Sequence, residues 1–271
     1  MKILFFRSVW GLDDLPTMEA RFARIKEGGF DGVEVAVPDT VEECKRARES
    51  LDKLGLAVVA QQWQSRGRTP VEHKASFEKL YERALFLKPL YLNSHTGCDH
   101  FTLDENLSIF DHATALAVER GLPVFHETHR GRALFSAPQT LQILDARPEL
   151  RLTADFSHWC CVHESLLEDQ EERVERAARS SYAIHARVGH AEGPQITDPR
   201  DPLWEKNLAA HLGWWKRIIS YRQDEGCAML PVCPEFGPVP YMTLLPHTHI
   251  PIADLWAINC YMMDWLKEKF V

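Results

Sequence analysis

Pro123 to Arg130 reads Pro-Val-Phe-His-Glu-Thr-His-Arg, a short apolar run that stops at His126, Glu127 and His129. A buried parallel strand looks like this where its C-terminal end opens into a polar site. Three later stretches share the pattern. Leu152 to His158 ends on Asp155 and His158, Tyr182 to His190 carries His185 and Arg187, and Leu230 to Gly237 ends on Glu235. Carboxylates in apolar surroundings are costly unless paired or bound to a metal. Four such endings in successive strands point to one divalent metal held by Glu127, Asp155, His185 and Glu235. Three carboxylates and one imidazole make a mostly hard donor set. It suits Mn²⁺ first, with Mg²⁺, Zn²⁺ or Co²⁺ as alternatives, and it does not suit a thiolate-seeking metal.

The elements that must position these residues alternate along the whole chain. Strands are predicted at Lys2–Val9, Asp31–Val37, Leu56–Gln62, Leu90–Ser94, Pro123–Thr128, Leu152–Asp155, Ala183–Val188 and Met229–Pro234. Between them, helical signals cover Pro16–Glu27, Thr40–Leu54, Pro70–Leu87, Asp104–Arg120, Ala137–Ala146, Glu164–Arg179, Trp204–Arg222 and Ile252–Lys269. Thr40 with Glu43 three residues on is a capping box, and Gly28-Gly29 and Gly55 are helix stops. Alternation of this kind implies a parallel sheet. Eight units in 271 residues, with no linker, predict an α/β protein made of a single (β/α)8 TIM barrel over residues 1–271. No G-x-G-x-x-G follows the first strand and no P-loop is present, so an open dinucleotide-binding sheet is the weaker reading.

Composition narrows the partners. The formal net charge of −8 argues against nucleic acid as the main ligand. No stretch approaches the ~20 apolar residues of a membrane span, and the N-terminal apolar run is too short for a secretory signal. The seven cysteines are odd in number and include no C-x-x-C pair. Reduced thiols in the cytoplasm are therefore expected, not a disulfide framework. A homo-oligomer is compatible with this composition.

The order Glu127, then Asp155-x-x-His158, then His185, then Pro-Glu235-Phe-Gly resembles the xylose isomerase-like barrel superfamily. Gly-Phe-Asp-Gly-Val-Glu34 near the second strand is similar to it as well. That superfamily contains sugar and sugar-phosphate isomerases and epimerases, and the abasic-site endonucleases. The resemblance covers nearly the whole chain. It implies a metal on Glu127, Asp155, His185 and Glu235, with His158 and an arginine after the seventh strand holding substrate oxygens. Arg187 is the arginine available here. Lying two residues past His185 on a strand, it shares that residue's face.

The activity so implied is isomerisation or epimerisation of a sugar or sugar-like hydroxy-ketone. Glu127 and Glu235 are the pair expected to remove and return a carbon-bound proton through a metal-stabilised enediolate. Glu34, His95 and Trp63 are further candidate contacts for a small carbohydrate. Glu34 is equally readable as an inward charge paired with an arginine, and Trp63, like Trp10 and Trp159, as packing. Gln61 and Gln62 are plausible hydroxyl binders, and residues 189–199 a lid. The alternatives are a lyase on a keto-sugar, an abasic-site nuclease and a silent sugar-binding barrel. The sugar, its phosphorylation, the choice among these reactions and the oligomeric state are not legible in the sequence.

Overall fold

A computed structural model describes residues 1–270. Eight strands, β1 (Lys2–Ser8), β2 (Gly32–Ala36), β3 (Ala57–Gln62), β4 (Leu92–Ser94), β5 (Val124–Glu127), β6 (Arg151–Ala154), β7 (Ser181–His185) and β8 (Met229–Cys233), alternate with helices. Every neighbouring pair is parallel, and β8 returns to β1, so the sheet closes into a barrel. The expected (β/α)8 architecture is the one observed, and it forms one domain. The helices are α1 (Met18–Glu27), α2 (Val41–Leu54), α3 (Pro70–Ala84), α4 (Leu103–Arg120), α5 (Ala137–Ala146), α6 (Ser157–Val162), α7 (Glu171–Arg179), α8 (Glu205–Asp224) and α9 (Leu255–Lys269).

The period of two along each strand sorts the side chains. Val33, Val58, Leu92, Val124, Leu152, Ile184 and Val232 point outward into one large core beneath the helices. Phe6, Val59, Tyr91, Phe125, Ala183 and Cys233 point inward and form a second, smaller core that plugs the barrel. Two residues further along the same strands, the inward positions become Ser8, Gln61, Asn93, Glu127, His185 and Glu235. The barrel interior thus changes from apolar to ionisable across one strand repeat, toward the C-terminal ends where barrel sites lie. Gly32 leaves room for that plug, because a Cβ there would come within 2.3 Å of the Phe6 ring and 2.8 Å of the Ala57 carbonyl oxygen.

Helix starts follow their cap residues. Thr40 and Thr102 both form complete capping boxes, with Glu43 and Glu105 respectively. Thr17, Thr69, Ser136 and Asp254 each accept the backbone N–H three residues on.

Most predicted boundaries move by a residue or two, and three shift the reading further. The helix expected over Glu164–Arg179 shortens to α7, Glu171–Arg179, and α6, a helix not expected from the sequence, precedes it. Glu164 and Leu167 between them take left-handed backbone, with φ of 48° and 61°, and Leu167 is buried in the core. The apolar Trp159-Cys160 pair, packed inward, makes the short α6 helical directly after Asp155. Asp254 caps the last helix, which therefore begins at Leu255 and not at Ile252. Finally, β7 ends at His185, which leaves Arg187 just past the strand, although Ala186 N–H still donates to the Cys233 carbonyl at 2.7 Å.

Gly32→Val should lower unfolding free energy by about 1–3 kcal/mol or more through overpacking against Phe6. A urea midpoint equal to that of the parent protein would show that the plug is not tightly packed.

Candidate active site

Glu127 ends β5, Asp155 follows β6, His185 ends β7, and Glu235 stands two residues past β8. One ligand atom from each lies within 4.8 Å of the others, and all four residues are buried. His185 Nδ1 is 2.8 Å from Glu235 Oε2 and 3.4 Å from Glu127 Oε2. Its other nitrogen, Nε2, is 3.0 Å from Glu34 Oε2. The ring is held by a carboxylate on one side and turns Nδ1 toward the carboxylates on the other. Carboxylates behind metal-bound imidazoles hold them in this way.

The donor set fits a divalent cation. His185 Nδ1 and Glu235 Oε2 are both buried, and neither has a hydrogen-bond partner among the described residues. Two electron-rich atoms 2.8 Å apart in a protein interior need positive charge between them, either a proton on Nδ1 or a cation. No thiolate takes part, and all seven cysteines are free.

Neighbouring polar groups position the donors. Asn93 Nδ2 donates to Glu127 Oε2 at 2.8 Å, and His95 Nε2 is 2.9 Å from the same oxygen. Gln61 Nε2 donates to Glu235 Oε1 at 3.2 Å. Asp155 accepts from the Ser157 N–H at 3.2 Å and from the Ser157 hydroxyl, while the Asp155 N–H donates to Thr128 Oγ1 at 2.8 Å. Arg187 donates to Asp155 Oδ2 and, at 2.8 Å, to His158 Nε2, and it lies 3.4 Å from Glu235 Oε2.

Charge in this volume is strongly coupled. Burial opposes the imidazolium of His185, but the carboxylates of Glu235, Glu34 and Glu127 outweigh it and hold its pKa well above the ordinary value. Burial pushes the Asp155 carboxyl up to about 6, against the pull of Arg187. Burial likewise opposes ionisation of Glu127, yet His95 and His185 hold its pKa well below the usual range. His158 is kept neutral by burial and by His129 and Arg187.

Above the cluster opens a pocket of about 530 Å³, the right size for a small ligand. Glu127, Glu235, His95 and Arg187 reach its surface, and Trp10, Trp63, His129 and Tyr241 stand among the walls. His95 stacks on His129 at 4.3 Å between ring centroids, and His129 lies 3.8 Å from His158. Arg187 sits 4.7 Å from the Tyr241 ring centroid.

The candidate residues therefore separate. Glu127, Glu235, Arg187, His95 and Trp63 border the pocket. Asp155 and His185 lie beneath it. Glu34 is also beneath, against His185, and it is the inward charge with a partner, although the partner is a histidine. His158 is fully buried behind His129, with its Nε2 2.8 Å from Arg187 and 3.6 Å from Asp155 Oδ2. Asn93, Ser157 and Tyr241 complete the arrangement and were not singled out from the sequence. Asn93 was within reach of that reading, since it lies two residues before His95 and so shares its inward face. Tyr241 arrives on the irregular segment after β8, which has no periodicity to read. The segment 189–199 folds back on itself through a His190–Gly193 bridge, and Gln195 is tied to Gly237 by two hydrogen bonds.

No protein-family model matches this sequence, and no curated protein matches it. Solved structures do. The chain superposes on 3-keto-D-glucoside 4-epimerase from E. coli with a TM-score of 0.65 at 13% identity, over 98% of this chain and 100% of that one. The probable 3-DHS dehydratase AsbF of Bacillus anthracis gives a TM-score of 0.64 at 16% identity, over 98% and 99%. A xylose isomerase domain containing protein from Salmonella typhimurium gives 0.66 at 14%, over 98% and 96%. The (β/α)8 fold is shared with these solved structures end to end.

Glu34→Gln should weaken divalent-metal affinity about 10- to 100-fold, because the ring of His185 loses its charged anchor. Titration of metal-free protein measures this, and unchanged affinity would remove Glu34 from the site. Metal uptake should also release a proton near neutral pH. His185, charged because its pKa is raised, must free Nδ1 to bind the ion, so affinity rises with pH through that range. Calorimetric enthalpies that do not vary with buffer ionisation enthalpy would contradict it.

Proposed function

We propose that this barrel is a divalent-metal-dependent isomerase or epimerase acting on a sugar or sugar-like hydroxy-ketone. One observation carries the reading: four buried donors from successive strands converge within 4.8 Å at the floor of a pocket, and two of them, Glu127 and Glu235, also face the pocket. The structural neighbours named as sugar epimerases support it.

A divalent ion in this site, Mn²⁺ by the donor set, supplies Lewis-acid stabilisation to a substrate oxygen that becomes negative. The rest falls to the protein. Glu127 and Glu235 come from strands separated around the ring and flank the position of a bound ketose. One, as the carboxylate, removes the proton beside the carbonyl and as the resulting carboxylic acid returns it to the adjacent carbon; return on the opposite face requires that the other first take a proton from solvent. Glu127 is held ionised by His95 and His185, and Glu235 by His185 and Arg187, although burial opposes both. Each is therefore in the basic form before substrate arrives. Arg187 donates toward the pocket from a guanidinium fixed by Asp155 and His158, and it can hold a substrate oxygen. Trp63, at 43% exposure, is free to stack on an apolar sugar face at the rim.

Elimination from the same enediolate is the second reading, and the dehydratase among the structural neighbours favours it. A cytoplasmic setting fits the seven free cysteines. Among the described residues, no helix is long and apolar enough to cross a membrane.

The test is solvent exchange. Metal-loaded protein incubated with free and phosphorylated keto-sugars in deuterated water should incorporate deuterium at the carbon beside the carbonyl. Glu127→Gln and Glu235→Gln should each lower the rate at least ~100-fold, with metal content measured in parallel. A broad panel with no exchange would remove the isomerase, epimerase and lyase readings together.

A further inference from the structure

Four guanidinium groups reach the pocket wall, and they are not equivalent. Arg21 pairs with Asp13 at 3.1 Å. Arg187 is committed to Asp155 and Glu235. Arg132 and Arg66 have no carboxylate within ion-pair distance among the described residues. Arg132 is 8% exposed, and its N–H groups go to backbone carbonyls, at 2.8 Å to Trp63, 3.2 Å to His95 and 3.4 Å to Ser65. Arg66 donates to the same turn, at 3.3 Å to the Trp63 carbonyl and 3.4 Å to that of Ser65. Its guanidinium carbon lies 5.8 Å from the Trp63 ring centroid.

Two like charges are thus gathered on one three-residue turn. Burial and the nearby Arg66 charge both hold the Arg132 guanidinium below its ordinary pKa. A buried charge without a counter-charge is costly, and carbonyl dipoles compensate it only in part. A chain of net charge −8 had ample carboxylates with which to neutralise this pair. Instead, the face they form borders the pocket at its His95 and Trp63 side.

We infer that the substrate is an acidic keto-sugar, whose carboxylate or phosphate docks against Arg66 and Arg132 while its hydroxy-ketone end reaches Glu127 and Glu235. The inference deepens the proposed function and rests on it for the reacting end alone. The paired guanidinium forks suit a planar carboxylate or a phosphate equally, through charge-assisted hydrogen bonds. An acidic group here also fixes which end of the sugar enters first, since the floor carboxylates repel it.

The experiment compares manganese-loaded protein on D-fructose, D-fructuronate and D-fructose 6-phosphate, with equilibrium binding by calorimetry and deuterium exchange on each. At least one acidic sugar should bind about ten-fold or more tightly than fructose, and whichever acid is preferred identifies carboxylate or phosphate. Arg66→Glu, a change on an exposed side chain, should reduce the acidic-to-neutral ratio at least ten-fold, chiefly through Kd and KM. Arg132→Lys, which keeps the charge but loses the fork, should reduce it less. Fructose binding as well as both acids, or a ratio unmoved by Arg66→Glu, would overturn the inference. Exchange confined to neutral sugars overturns it and sustains the proposed reaction. Arg66-dependent binding of an acid without exchange sustains it and overturns that reaction.

Discussion

The constraint on which this structure turns is the surplus of negative charge sealed in the barrel. Glu34, Glu127, Asp155 and Glu235 are all at most 3% exposed, and they surround one imidazole and one guanidinium. Each buried ion costs several kcal/mol in desolvation, and attraction repays that only with good geometry and satisfied lone pairs. A protonated His185 and Arg187 face these carboxylates, while burial still pushes the Glu34 and Asp155 carboxyls up toward their neutral forms. Exchanging that single proton for a divalent ion adds positive charge and gives Glu235 Oε2 and His185 Nδ1 a common partner. The proton and the cation compete for the same nitrogen, so the raised pKa of His185 and the affinity for metal share one electrostatic cause.

The scaffold makes such a cluster sustainable. Below it, Phe6, Tyr91 and Phe125 fill the barrel and exclude water, which strengthens every ionic contact above. Around it, side-chain amides and hydroxyls bear on the carboxylates: Asn93 on Glu127, Gln61 on Glu235, Ser157 on Asp155. These partners come mostly from rigid strands, so the donors are placed before any ligand arrives. Ser157 comes instead from the first turn of α6, and this explains why a helix starts immediately after Asp155. The turn that folds Ser157 back onto Asp155 Oδ1 also begins the helix that buries Trp159.

Legibility in the sequence followed regularity. The barrel was readable because apolar strands and capped helices alternate without interruption, and Thr40 and Thr102 mark their helices by local chemistry alone. The metal-type cluster was readable because each donor ends an apolar run, a contrast visible in one dimension. The partner of Glu34 was not, because its contact with His185 spans 151 residues of sequence and depends on closure of the barrel. His158 looked like a pocket residue from its spacing to Asp155, yet α6 turns it behind His129. The break between α6 and α7 was hidden by the charged, helix-favouring run around Glu168, where a buried Leu167 in left-handed backbone overrides propensity.

The same contrast separates chemistry from selectivity. The floor is built from strand ends, whose inward direction is dictated by a period of two, so its composition can be read without a structure. The walls come from loops: Trp10 after β1, Trp63 and Arg66 after β3, His129 and Arg132 after β5, and Tyr241 after β8. Loop side chains obey no period, and their convergence exists only in three dimensions. Neighbours that share this fold at 12–16% identity carry names of different reactions. In this chain the rim departs from electrical neutrality at one place, the turn clasped by Arg66 and Arg132. A floor that is over-supplied with carboxylates and a rim that is over-supplied with guanidinium charge set up a field along the pocket. A ligand with an acid at one end and a polarisable carbonyl at the other is oriented by that field before it makes any hydrogen bond.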